Sequence, residues 1–178
     1  KAVSEEACTA LHGVPTMFIA ELEHPDFDSF DFSHLRTGIM AGAPCPIEVM
    51  RKVISKMNMT EVTIAYGMTE TSPITVMNPL HGTKKIGSVG IPVQSTRIKL
   101  VDIETGTQEV GVGEEGELIV NGPQVMKGYW KRDDANDEVF VYFDEKRYFL
   151  TGDIGHIDKD GYVIITDRKK DLILVGGF

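Results

Sequence analysis

Val62-Thr63-Ile64-Ala65-Tyr66-Gly67-Met68-Thr69-Glu70-Thr71-Ser72-Pro73 opens as a short apolar run rich in β-branched residues and closes as a corner. Turn-formers bound the run, so it predicts a buried strand over Val62 to Tyr66, with the chain turning where the strand stops. The corner gathers an aromatic face at Tyr66, a glycine at Gly67, a hydroxyl at Thr69 and a carboxylate at Glu70. Ligands of open α/β sheets collect at such strand ends. Upstream, Arg36 to Gly42 reads as a second strand. Between the two, Ile47, Met50, Val53, Ile54 and Met57 recur at helical spacing, and Pro46 suits a first helical turn. Strand, helix, strand is a crossover, so the two strands are expected side by side in parallel.

Working toward the N-terminus, Ser4 before Glu5 and Glu6 reads as a helix cap with acids opposing the helix dipole, and Gly13 as that helix's end. A helix from about Glu5 to His12 is expected. Pro15 opens a second helix through Leu22, and Pro25 ends it before a loop rich in Asp, Phe and Ser. Past His81-Gly82 the pattern changes to short strand-like runs, Thr96 to Val101, Glu117 to Asn121, Tyr148 to Thr151 and Tyr162 to Thr166, between Gly- and Asp-rich turns. One helical pattern, about Asp133 to Val139, interrupts them. Asp158-Lys159-Asp160-Gly161 resembles part of a calcium loop, but His156 and Asp167 would fill its first and twelfth ligand positions and its flanks read as strands. A hairpin turn is expected there. The fold class is therefore α/β, a parallel-sheet portion over residues 1–84 followed by a small antiparallel lobe over 85–166, with a last segment over 167–178.

The composition, 42% hydrophobic and 25% charged over 178 residues, is that of an ordinary globular protein and disfavours disorder. No apolar run approaches the roughly 20 residues of a membrane helix. The start, Lys1-Ala2-Val3-Ser4, lacks the regions of a signal peptide and an initiator Met, so the chain reads as an excised piece. A net charge of −9 argues against a nucleic-acid surface. Cys8 and Cys45 have no metal-like spacing and read as reduced thiols of a cytoplasmic protein, or a mitochondrial one in a eukaryote. His12, His24, His34, His81 and His156 form no zinc pattern.

Tyr66 to Glu70 resembles the Tyr-Gly-x-Thr-Glu signature of the adenylate-forming enzymes, the superfamily of acyl-CoA synthetases and peptide-synthetase adenylation domains. Three more segments follow that family's order: Ala41-Gly42-Ala43-Pro44, Thr151-Gly152-Asp153 and Asp167-Arg168-Lys169-Lys170-Asp171. Asn121-Gly122-Pro123-Gln124-Val125-Met126-Lys127-Gly128-Tyr129-Trp130 joins them. The resemblance implies that the second lobe is the family's small distorted β-barrel. It also implies that Gly42, Ala43 and Pro44 lie along the adenine of ATP or AMP and that Tyr66 stacks on the base. Gly67 then gives close backbone approach, Thr69 faces phosphate oxygens and Glu70 supplies a hard oxygen to Mg²⁺. Asp153 takes the ribose hydroxyls. Arg168 sits near the ribose and α-phosphate. Lys170 is the hinge, and the glycine loop at Gly176-Gly177 meets the pantetheine arm of coenzyme A. On the residues alone, Tyr66 reads equally as a core tyrosine, Thr69-Glu70 as a solvated helix start, Asp153 as a turn cap and Arg168 to Asp171 as a solvated charge run. Gly38, Ala41, Ala65 and Gly67 are small enough to leave an acyl channel or to permit tight sheet packing.

The function implied is part of an acyl-CoA synthetase of the medium- to long-chain fatty-acid group, with Thr69, Glu70 and Arg168 as the catalytic residues present. The phosphate-gripping loop and C-terminal lysine of the family are expected before Lys1 and after Phe178, which predicts an inactive fragment. Two alternatives stay open: an adenylation domain loading a carrier protein, and a non-catalytic nucleotide-binding module.

Overall fold

A computed structural model describes residues 1–171, which divide into two compact units. The first comprises residues 1–66 and 76–90; the second comprises residues 67–75 and those from 91 onward. Gly176-Gly177 lies outside the described residues.

The crossover organises the first unit. Strand β1 (Thr37–Ala41) leads through a helix over Ile47–Lys56 to strand β2 (Glu61–Gly67). The strands pair in parallel, in a register running from Thr37 opposite Glu61 to Ala41 opposite Ala65. Met50, Val53 and Met57 bury the inner face of the helix against Met40, Val62 and Ile64, as the helical spacing predicts. Ile47, at the helix start, is exposed instead. The helix stops at Asn58, whose φ of +56° is tolerated by this residue type and whose Nδ2 donates to the Leu35 carbonyl at 2.9 Å. A preceding helix over Pro15–Leu22 begins on its proline and buries Phe18.

The expected helix from Glu5 to His12 is absent. Helix is confined to Ala2–Glu5, and the Ser4 hydroxyl accepts the Asp31 N–H at 3.0 Å rather than capping. The chain turns at Ala7, with φ +49°, and runs extended along the edge of β1. Leu11 and Gly13 donate to the carbonyls of Thr37 and Ile39, each at 3.1 Å. Pairing that edge satisfies backbone groups that a helix would have left to solvent. The approach is so close that a Cβ on Gly38 would lie 1.8 Å from the Leu11 carbonyl oxygen. The smallness of Gly38 thus serves backbone packing.

A short strand β3 (Ile74–Met77), not expected from the sequence, follows β2. Next to it in the first unit, buried Asn78 is satisfied on both sides: its Nδ2 donates to Ser88 O at 2.8 Å and its carbonyl accepts the Thr63 hydroxyl at 2.7 Å.

The second unit is antiparallel. After a two-residue strand β4 (Ile91–Pro92), β5 (Arg97–Val101), β6 (Gly116–Asn121), β7 (Phe140–Phe143), β8 (Lys146–Ile157) and β9 (Val163–Arg168) form a sheet ordered β5-β6-β8-β7, with β9 also on β8. The sheet curls into a half-barrel, the architecture expected of this lobe. Its core holds Val101, Ile119 and Tyr148. A helix occupies Asp133–Val139, as expected, and β7 follows it without having been foreseen. At the β8–β9 turn, the Asp158 carboxylate accepts the N–H groups of Asp160 and Tyr162, both at 2.9 Å. The hairpin displaces the calcium-loop alternative.

Strand β8 corrects a further expectation, since it does not end at Thr151 but continues to Ile157. Glu117 pairs with Ile154 and Ile119 with Leu150, so Leu118 alone faces Thr151, Gly152 and Asp153. That is a bulge, made possible by Gly152 at φ +72°. Asp153 therefore sits inside a strand, on its bulge, rather than at a strand end.

Candidate nucleotide-binding site

In the first unit the carboxyl ends of two strands meet. Because β1 and β2 are parallel and Ala41 lies opposite Ala65, Gly42-Ala43-Pro44 and Tyr66 leave the sheet at the same end. Gly42, Ala43 and Pro44 are exposed, Tyr66 is half-buried, and Gly42 makes its turn at φ +84°. Small residues beside an aromatic ring at strand carboxyl ends suit a flat ligand.

In the second unit the corner is held by buried Thr71. Its hydroxyl accepts the Met68 N–H at 3.1 Å and stands 3.0 Å from the carbonyls of both Met68 and Pro73. A Cβ on Gly67 would lie 1.7 Å from the Pro73 carbonyl oxygen, so the close approach Gly67 permits is that of the corner on itself. Thr69 to Thr71 form a single 3-10 turn that leaves Thr69 exposed and Glu70 half-exposed.

Glu70 is tied down twice. Its carbonyl accepts the Met126 N–H at 2.8 Å, and its Oε1 accepts the Tyr129 hydroxyl at 2.9 Å. Asn136 in turn brackets the Tyr129 backbone, accepting its N–H at 2.7 Å and donating to its carbonyl at 3.1 Å. Burial, and then the Glu70 carboxylate, push the Tyr129 phenol above its ordinary range, so it remains a donor. Among the described residues no three His, Cys, Asp or Glu side chains cluster for a metal. A single fixed carboxylate nevertheless fits Mg²⁺, which keeps waters and is commonly held by one or two carboxylates plus substrate phosphates.

Asp153 is buried on the bulge, and its Oδ1 accepts Arg168 Nε at 3.0 Å across the β8–β9 pair. Arg168 itself is mostly exposed. Glu117 and Lys169, which sequence reasoning did not single out, make a second pair: Lys169 Nζ donates to Glu117 Oε2 at 2.8 Å. A carboxylate directly heading the apolar run Leu118-Ile119-Val120 was the available signal. Lys170 falls in the 3-10 turn Lys169–Asp171, exposed. Glu70, Tyr129, Glu117, Asp153, Arg168 and Lys169 all border one cleft of about 670 Å³. Polar groups of both signs converge there. The structure thus brings Glu70, Asp153 and Arg168 together within the second unit, and Gly42 to Pro44 with Tyr66 within the first.

Both thiols are free. Cys45 lies 2.9 Å from the Met40 sulfur, and burial pushes its pKa up to about 11. No helix among the described residues is long and apolar enough to cross a membrane.

The family model described as AMP-binding enzyme matches residues 1–130. YngI of Bacillus subtilis is 49% identical over 180 residues, covering 99% of this chain and 32% of that protein. The mitochondrial medium-chain acyl-CoA ligase ACSF2 of mouse is 41% identical, covering 99% of this chain and 28% of that protein. The chain therefore spans about a third of these relatives' length. Among solved structures, O-succinylbenzoate coenzyme A synthetase (MenE) of Bacillus subtilis, in complex with ATP and magnesium ion, superposes with a TM-score of 0.80. The two are 31% identical, and the match covers 99% of this chain and 35% of that one.

Proposed function

The chain belongs to the AMP-binding, adenylate-forming enzymes, and from that premise we propose that it is part of an ATP-dependent acyl-CoA synthetase acting on a medium- or long-chain fatty acid. The observation that carries the reading is the second unit's cleft, where a fixed carboxylate at Glu70 stands with buried Asp153 and its partner Arg168. The acyl-CoA ligase named above supports the fatty-acid class.

In the reaction proposed, a carboxylate oxygen attacks the α-phosphorus of ATP, giving acyl-adenylate and pyrophosphate. The thiolate of coenzyme A then attacks the acyl carbonyl carbon and AMP leaves. No protein nucleophile is required, so the protein's part is positioning and charge stabilisation. Tyr66 offers its ring to the base beside Gly42, Ala43 and Pro44, and Gly67 shapes the corner. Asp153 takes the ribose hydroxyls, while Thr69 and Arg168 donate toward phosphate oxygens. Mg²⁺, held by Glu70, would supply a cationic charge against those oxygens. Lys170 is the proposed hinge between the two half-reactions. Two free thiols agree with a cytoplasmic setting.

The acceptor is tested in the full-length enzyme containing this chain. Acyl-adenylate formed from ATP and a fatty acid should persist without thiol and convert to acyl-CoA when coenzyme A is added. Failure to convert, with transfer to the phosphopantetheine of a carrier protein instead, would replace the acceptor.

A further inference from the structure

The buried carboxylate of Glu117 has no place in the chemistry above, yet it joins the parts that carry it. It is 2% exposed, at the point on β6 where the β8 bulge begins. Its Oε1 accepts the Gly152 N–H at 3.1 Å, and its Oε2 accepts Lys169 Nζ at 2.8 Å. Gly152 immediately precedes Asp153, and Lys169 immediately follows Arg168.

A bulge releases backbone groups from the ladder, and each needs another partner. Here Thr151 donates its hydroxyl to Leu118 O at 2.8 Å and accepts the Asp153 N–H at 3.1 Å, which leaves the Gly152 amide to Glu117. At the other oxygen the ammonium of Lys169 supplies the compensating charge that a buried carboxylate requires. Glu117 thus fastens both neighbours of the Asp153–Arg168 pair, Gly152 at one oxygen and Lys169 at the other.

We infer that Glu117 is a positioning residue for the nucleotide, holding Asp153 through the Gly152 amide and Arg168 through Lys169. The inference rests on the proposed role of Asp153 at the ribose. Glu117→Leu removes both attachments. Glu117→Gln keeps an oxygen for the Gly152 amide and loses the negative charge that faces Lys169, and Lys169→Met loses that arm alone.

The test is AMP titration by calorimetry on the full-length enzyme, with a thermal melt of each variant, and KM for ATP set against KM for the fatty acid. Glu117→Leu should weaken AMP binding at least tenfold and raise the ATP KM alike, with the fatty-acid KM unchanged. Glu117→Gln and Lys169→Met should each weaken AMP binding by two- to fivefold. If folded Glu117→Leu binds AMP as the parent does, Glu117 is structural only and the inference falls. Should that variant not fold, parent-like affinity in both Glu117→Gln and Lys169→Met overturns it equally. Asp153→Ala separates the two claims: if it binds AMP normally, the ribose assignment itself is wrong, whatever Glu117 does.

Discussion

Replacing Asp153 should cost the nucleotide far more than it costs Arg168. The side chain is 5% exposed and that of Arg168 is 57% exposed, so the two partners do not share the consequences equally. Freed from Asp153, Arg168 remains mostly in water and keeps its solvation. The consequence for the nucleotide is larger, because hydrogen bonds to a charged acceptor are worth roughly 1.5–3 kcal/mol each. In the proposed role Asp153 accepts from both ribose hydroxyls, so Asp153→Ala should remove two such bonds, and the low end of that range gives about 3 kcal/mol, or roughly a hundredfold rise in AMP Kd. Asp153→Asn keeps the shape but not the charge and should cost about 1.5 kcal/mol, near tenfold. The assay is calorimetric titration of the full-length enzyme with AMP and with 2′-deoxy-AMP, arranged as a double cycle. The parent should lose about tenfold in affinity when the 2′-hydroxyl is removed. Asp153→Ala should show no such discrimination. Undiminished discrimination in Asp153→Ala would exclude Asp153 as the ribose partner, because the hydroxyl would then be recognised elsewhere.

Glu70→Gln should slow adenylation at limiting Mg²⁺ at least tenfold, about 1.4 kcal/mol in barrier, while Tyr129→Phe, which removes only the hydroxyl holding Glu70, should act in the same direction but less; single-turnover kinetics with thermal melts checks both, and unchanged rates would remove Glu70 from the site. Lys170→Pro fixes its own φ and restricts Lys169, so transfer of pre-formed acyl-adenylate to coenzyme A should fall at least tenfold with adenylation less affected. Equal rates for both half-reactions in mutant and parent would place the joint elsewhere. Cys45 should resist alkylation at pH 8, where a thiol titrating at about 11 is ionised to roughly one part in a thousand, and react as the pH approaches 11. The raised pKa also means that the folded state's advantage at this group is complete below the free thiol's range and is lost as pH rises through about 11. Mass-spectrometric labelling at both pH values decides, and rapid modification at pH 8 would contradict the burial.

The crossover was legible because β-branched runs and a helical apolar stripe bounded by Pro46 and Asn58 each carry their own period. What the sequence hid was settled by partners far along the chain. Residues 9–13 have no local strand pattern, and they extend because β1 offers an edge and Gly38 leaves room for the Leu11 carbonyl. The continuation of β8 past Thr151 was hidden for a related reason. Thr151-Gly152-Asp153 has the composition of a turn, but neighbours on both sides keep it in the sheet as a bulge. Of the candidate site residues, Glu70, Asp153 and Arg168 were findable as motif positions, and their convergence on one cleft is a property of the fold. Glu117 and Lys169 were less visible, since a glutamate heading a strand and a lysine in a charge run acquire meaning only as a pair.

Acid-dependent exchange of labelled pyrophosphate into ATP, run on the full-length enzyme across a series of carboxylic acids, tests the central proposal most directly. It reports formation of the acyl-adenylate whatever the final acceptor. Exchange should require a medium- or long-chain fatty acid and Mg²⁺ and be lost in Glu70→Gln. A folded full-length protein that binds AMP yet exchanges pyrophosphate with none of the acids would contradict it, and would leave a nucleotide-binding module without adenylating activity.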